Sequence, residues 1–245
     1  MALTLATTNP GEPEIFASLQ GEGPSIGRSV AFVRLSRCNL ACVWCDTPYT
    51  WHWTGDNRPH RGEETHDRAA NQLVLEEAEV ARRIAAFAKP RLVVTGGEPL
   101  LQGRALARML ALLPPGIAVE VETNGTVAPH PDLDPLIAQY NVSPKLAHSG
   151  NSADLALPPE RLAHWANETR AFFKFVIATP DDVAEVLALV ETHAIAHNRI
   201  WLMAEGTDTA TLGSRERWLA GLCLAHDMNL SPRLHIALYG DTRGT

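Results

Sequence analysis

A chain of 245 residues with 45% hydrophobic and 20% charged side chains is long and apolar enough to bury a substantial core, which excludes disorder and fibrous repeats. Lys and Arg number 21 against 28 Asp and Glu, a net charge of −7 that argues against a protein whose main business is coating nucleic acid. No apolar run approaches the roughly 18 to 20 residues of a membrane span, and the start, MALTLATTNPGEPE, lacks the basic and apolar regions of a secretory signal, so one domain in the cytoplasm is the expectation.

In chain order, RSVAFVRLS (28–36) is a short apolar, β-branched run without helical period and predicts a buried strand leading into Cys38. The stretch 48–71 carries Trp51, Trp53, Gly55, Pro59, Gly62 and three histidines without periodicity, and reads as an irregular insertion. The simplest role for it is a variable surface loop; capping the cysteines or receiving an electron donor are the alternatives. Val80, Ile84 and Phe87 recur at helical spacing, Pro90 stops the helix, and RLVVT (91–95) predicts another strand, so strand, helix and strand form a parallel crossover. The alternation continues with a helix through Leu106, Met109, Leu110 and Leu113, and strands at 117–123, 140–143 and 172–178. Thr179 as N-cap and Pro180 at the first helical position open a helix with Val183, Val186, Leu187 and Val190 on its inner face. A strand at 199–203, a helix over roughly 211–228 and a last strand candidate, LHIAL (234–238), complete the chain.

About six parallel strands with intervening helices predict an α/β sheet or partial barrel, whose site lies at the carboxyl ends of the strands. The polar clusters fall there: the cysteine loop, Thr95-Gly96-Gly97-Glu98, Glu122-Thr123-Asn124-Gly125, Ser143-Pro144-Lys145 and Glu205-Gly206-Thr207. Three of the four cysteines, Cys38, Cys42 and Cys45, are spaced C-x3-C-x2-C, so their soft thiolates can converge on one soft metal or an iron–sulfur cluster. Cys223, far off in an amphipathic helix, reads as a small buried hydrophobe, which leaves one iron of a four-iron cluster open. Zinc with His52, His60 or His66 as fourth ligand is the alternative.

CNLACVWC, followed by Asp46 and Thr47, resembles the cluster loop of the radical S-adenosylmethionine (SAM) superfamily, and TGGEP (95–99) its second motif. The resemblance implies a partial, open TIM-like barrel, a 4Fe-4S cluster whose open iron chelates SAM, and reductive cleavage of the sulfonium to a 5′-deoxyadenosyl radical. Gly96 and Gly97 would let the backbone approach the cofactor's amino group, and Glu98 would brace that turn.

Upstream, EIFASLQGEGPSIGR (14–28) is similar to the opening of the 7-carboxy-7-deazaguanine synthase family, and ETNGT, SPK and LMAEGTD resemble further family elements. This resemblance spans most of the chain except the insertion. It implies radical ring contraction of 6-carboxy-5,6,7,8-tetrahydropterin to 7-carboxy-7-deazaguanine, with loss of ammonia and help from magnesium. By position, Leu19, Gln20, Gly21, Arg34 and Thr95 would hold the substrate, joined by Thr245 if the C-terminus folds inward. Trp44, Cys45, Asp46, Gly97, Ser143, Pro144 and Lys145, with Met203, Ala204 and Glu205, would contact SAM. Thr47 would ligate magnesium. The family further implies an electron donor such as flavodoxin and a homodimer. Taken singly, Arg34 could be a surface cation, Glu22 a solvated turn residue, Lys145 a helix-end charge and Thr47 an N-cap. Two rival readings remain at this point: a SAM-dependent activase acting on a partner's glycine, and an iron–sulfur carrier or zinc module.

Overall fold

The computed structural model describes residues 2–62 and 64–245. Its strands are β1 (Ala2–Asn9), β2 (Glu12–Pro13), β3 (Ile15–Leu19), β4 (Ser29–Leu35), β5 (Gln72–Glu76), β6 (Arg91–Gly96), β7 (Ala118–Thr123), β8 (Gln139–Val142), β9 (Ala171–Ile177), β10 (Ile200–Ala204) and β11 (Asn229–Ser231). The helices are α1 (Arg68–Asn71), α2 (Glu77–Ala85), α3 (Gly103–Leu110), α4 (Ala153–Ala156), α5 (Pro159–Asn167), α6 (Pro180–His193), α7 (Thr209–Ala225) and α8 (Leu234–Tyr239).

Seven strands run parallel in the order β4-β6-β7-β8-β9-β10-β11, an open sheet of the kind a partial TIM-like barrel requires. β6, β9 and β10 read as nearly continuous apolar runs, as strands covered on both faces do, whereas β7 and β8 alternate apolar residues with Glu120, Glu122, Gln139 and Asn141. Val93, Val121, Phe173, Phe175 and Leu202 are all fully buried. The helices behave as their caps require: in α6 the Thr179 side chain accepts from the N3 backbone while Asp182 accepts from the Thr179 N–H at 2.8 Å, a reciprocal capping box that the Pro180 ring reinforces.

At the β4 edge the sheet is closed by chain that carries no strong strand signal. The antiparallel β3 pairs with the first five residues of β4, β1 meets it at Leu35, and β5 pairs along β1. At the other edge stands β11, three residues long, which leaves little edge to pair with another chain.

Two expectations are corrected. LHIAL is helix α8 and not a strand: only Ile236 is buried, Leu238 is half exposed, and the sheet position is taken by Asn229–Ser231. Period-2 alternation over five residues fits one helical turn as well, and tertiary competition for the edge decided it. The insertion is not a mere surface loop. Tyr49, Thr50, Trp51 and His52 are buried, and its end forms α1, whose N-cap Asp67 accepts from Ala70 N. Among the described residues no helix is long and apolar enough to cross a membrane.

Candidate functional site

The parallel strands end around one cavity of about 450 Å³, a size typical of small-molecule sites. Its wall includes Leu19, Gln20, Gly21, Arg34, Cys38, Cys42, Trp44, Cys45, Asp46, Thr47, Thr95, Gly97, Ser143, Lys145, Met203, Ala204, Glu205 and Thr245, gathered from both ends of the chain. Pro144 is buried between two wall residues and does not itself line the space.

The cysteine loop leaves β4 through Arg37, held at φ +80 because its N–H donates to Thr50 O (2.8 Å) and its carbonyl accepts from Glu98 N (2.8 Å). All three thiols are free. Asn151 Nδ2 reaches Cys42 Sγ at 3.3 Å, Asn124 Nδ2 lies 3.9 Å from Cys38 Sγ, and Thr47 Oγ1 lies 3.7 Å from Cys45 Sγ. Burial pushes Cys38 up to about 12 and Cys45 to about 11, and raises Cys42, so ligation of iron must expel their protons. Three unpaired soft donors with amide donors at two of the sulfurs fit a cluster with one open iron.

Gly96 and Gly97 line the cavity, and the fold itself also requires them to be glycine. A Cβ on Gly96 would stand 2.1 Å from Leu35 O, and one on Gly97 2.2 Å from Arg37 O, so side chains are excluded by the chain's own backbone. Behind this turn Glu98 is fully buried and accepts from Leu100 N (2.9 Å), Thr123 Oγ1 (2.9 Å) and Asn124 N (2.7 Å), bracing it as expected. Burial raises its carboxyl to about 7, against the pull of those donors.

The cavity wall also carries a charged network that reaches Asp46, the neighbour of Cys45. Lys174 Nζ, in the apolar strand β9, pairs with Glu22 (2.5 Å) and Glu122 (2.8 Å); Arg233 pairs with Glu22 (3.2 Å) and Asp46; Gln20 Nε2 donates to Glu122 (3.2 Å). Burial works against the charge on Glu22, but Lys174 and Arg233 outweigh it and hold the carboxyl well below its usual range. Glu22 is thus no solvated turn residue. Arg34 is no surface cation either, since its Nε donates to the buried Glu14 at 2.6 Å. Lys145 donates to Ser143 Oγ (2.7 Å) beside the Trp44 ring, which stacks on His148. Thr47 precedes a turn of 3-10 helix but makes no side-chain cap.

The insertion packs on the cysteine loop: His60 Nε2 lies 2.9 Å from Cys45 O, Arg61 N donates to Val43 O (2.7 Å), and Arg61 pairs with Glu205 (3.0 Å). With His60 Nδ1 also accepting from Gly62 N (3.1 Å), that ring is not free as a fourth zinc ligand. Among the described residues no three His, Cys, Asp or Glu side chains gather closely enough for a single metal ion.

The radical SAM superfamily model matches residues 33–208. A 7-carboxy-7-deazaguanine synthase of Pyrobaculum aerophilum is 37% identical over 232 residues, covering 94% of this chain and 95% of that one. Its counterpart in Hyperthermus butylicus is 35% identical over 234 residues, with 91% and 90% covered. The chain belongs to the 7-carboxy-7-deazaguanine synthase family of radical SAM proteins. In structure it resembles QueE from Escherichia coli, 23% identical, with a TM-score of 0.67 and 95% of both chains covered, a likeness of fold. SuiB from Streptococcus suis shares the fold more distantly, at 14% identity and a TM-score of 0.54 over 86% of this chain and 50% of that one.

Membership in the 7-carboxy-7-deazaguanine synthase family sets aside the activase, carrier and zinc readings, and it implies a 4Fe-4S cluster and SAM. Sequence reasoning missed Glu14, Tyr49, Lys174 and Arg233 in the wall. Lys174 carried a legible signal, a lone cation in AFFKFVI, because a charge in a doubly covered strand needs partners. Tyr49 carried none.

Proposed function

We propose that the protein converts 6-carboxy-5,6,7,8-tetrahydropterin to 7-carboxy-7-deazaguanine by radical ring contraction with loss of ammonia, on the path to queuosine and related 7-deazapurines. The observation that carries this reading is one cavity whose wall joins the three free thiols to Leu19, Gln20, Gly21, Arg34 and Thr95. Cys38, Cys42 and Cys45 would hold the cluster, which with SAM would supply one-electron cleavage of the sulfonium and abstraction of a substrate hydrogen.

Everything else falls to the chain. Trp44, Asp46, Gly97, Ser143, Pro144, Lys145 and the strand end Met203, Ala204 and Glu205 line or flank the space next to the cluster and would orient SAM. Gln20, with amide donor and acceptor, and the backbone at Leu19 and Gly21 suit a pterin edge; Thr95 stands beside Arg34 in the β4/β6 register. Arg34 suits the substrate carboxylate, and Thr245 closes the wall from the C-terminus. Thr47 Oγ1, uncommitted as a helix cap, would take magnesium together with substrate oxygens and waters. Four free cysteines support a reducing, cytoplasmic setting. The cluster's need for single electrons supports a small flavoprotein donor such as flavodoxin, and the family resemblance supports a homodimer.

The test is SAM cleavage by anaerobically reconstituted protein. Formation of 5′-deoxyadenosine should be stimulated by 6-carboxytetrahydropterin and not by tetrahydropterin lacking the carboxylate. Equal stimulation by both would remove the substrate assignment.

A further inference from the structure

We propose that Glu14 and Tyr49 are positioning residues that turn the guanidinium of Arg34 so that its two Nη groups face the cavity as a seat for a planar carboxylate. The inference rests on the reading of Arg34 as the carboxylate contact and adds what holds it there.

Glu14 is fully buried at the foot of β3, where an unpaired carboxylate would be costly. Its two oxygens are committed: Arg34 Nε donates to Oε1 at 2.6 Å, and the Tyr49 hydroxyl lies 3.0 Å from Oε2 and 3.3 Å from Oε1. The backbone doubles the link, since Arg34 N donates to Glu14 O at 3.0 Å. The protein therefore occupies only the Nε edge of the guanidinium. Among the described residues no side chain or carbonyl takes either Nη group, yet neither is a buried orphan, and the Arg34 side chain keeps 19% exposure on the cavity wall. A guanidinium fixed at Nε and open at both Nη presents parallel donors at the spacing of a carboxylate.

Tyr49, buried and part of the wall, holds the Glu14 carboxylate and is itself anchored to the rest of the site. It sits in the short turn Pro48–Thr50, directly after Thr47, and its backbone carbonyl accepts from Trp53 Nε1 at 3.2 Å. The Arg243 guanidinium lies 3.5 Å from the centre of its ring and donates to Asn71 Oδ1 at 2.9 Å, so the C-terminal tail packs on the same tyrosine. One side chain thereby ties the insertion, the tail and, through Glu14, Arg34.

The experiment measures equilibrium binding of 6-carboxypterin and of pterin to the reconstituted protein with SAM and magnesium, by quenching of pterin fluorescence. Wild type should prefer the carboxylated ligand. Tyr49→Phe should cut that preference about threefold and Glu14→Gln about tenfold, pterin itself binding as before. In an Arg34→Ala background neither change should have a further effect, which a merely structural role would not predict. If Glu14→Gln fails to fold, Tyr49→Phe carries the test. Variants that keep the wild-type preference, or weaken both ligands equally, overturn the positioning role alone. A wild type without preference overturns the carboxylate reading of Arg34, and the proposal with it.

Discussion

Replacing Gly97 by alanine tests how the second motif is held against the cysteine loop. The added Cβ would lie 2.2 Å from Arg37 O, 2.5 Å from Arg37 C and 3.0 Å from Cys38 Cβ, so it meets backbone and the first atom of a cluster ligand. To reach the 3.4 Å of ordinary contact, the strand end must retreat about 1.2 Å from Arg37. That movement breaks Gly97 N to Leu35 O (3.0 Å) and Glu98 N to Arg37 O (2.8 Å). Two backbone hydrogen bonds at about 1 kcal/mol each, with overpacking of about 1–3 kcal/mol, give a loss of about 3–5 kcal/mol, a large part of a typical domain's stability. Urea unfolding of the apo protein reads this loss, and iron content after reconstitution reads the displacement of Cys38. Gly213→Ala is the control: in α7 it meets nothing within 4 Å and should stabilise by about 0.5–1 kcal/mol. A Gly97→Ala protein with the wild-type urea midpoint and four irons would refute the reasoning.

Cys42→Ala should prevent assembly of the cluster, seen as loss of four-iron absorption and of bound iron; full iron content in the variant would remove Cys42 from the ligand set. Thr47→Ala should raise the magnesium concentration needed for half-maximal turnover while leaving SAM affinity near wild type, and an unchanged magnesium titration would discard the metal role. Glu98, raised to about 7 from an ordinary 4.5, favours the fold in its neutral form, so its contribution is complete below about pH 4.5 and is lost as pH rises through about 7. In Glu98→Gln the fall in apo-protein stability between about pH 5 and 8 should be smaller than in wild type; an equal fall would show that Glu98 does not titrate in this window.

The parallel strands from β4 to β10 were legible because burial on both faces leaves apolar runs such as RLVVT and FFKFVIA, and their ends carry the motifs. The first strands were not: ALTLATTN mixes alanine and threonine, and its burial comes from pairing with β4 and β5. The same limit hid the insertion. Trp51 and His52 are buried with their rings against that of His60, which meets the Cys45 carbonyl at 2.9 Å, contacts that no local period encodes. Around the cavity, motif residues were legible as polar groups at strand ends, whereas Tyr49 meets Glu14 across 35 positions of sequence and Arg233 meets Glu22 and Asp46 across 211 and 187, outside the reach of any spacing rule.

The decisive experiment is anaerobic incubation of the reconstituted protein with dithionite, SAM, magnesium and 6-carboxytetrahydropterin, with 7-carboxy-7-deazaguanine followed by mass spectrometry. Product that requires reductant, SAM and pterin, and that rises with magnesium, is the predicted result. Cleavage of SAM to 5′-deoxyadenosine without that product would contradict it.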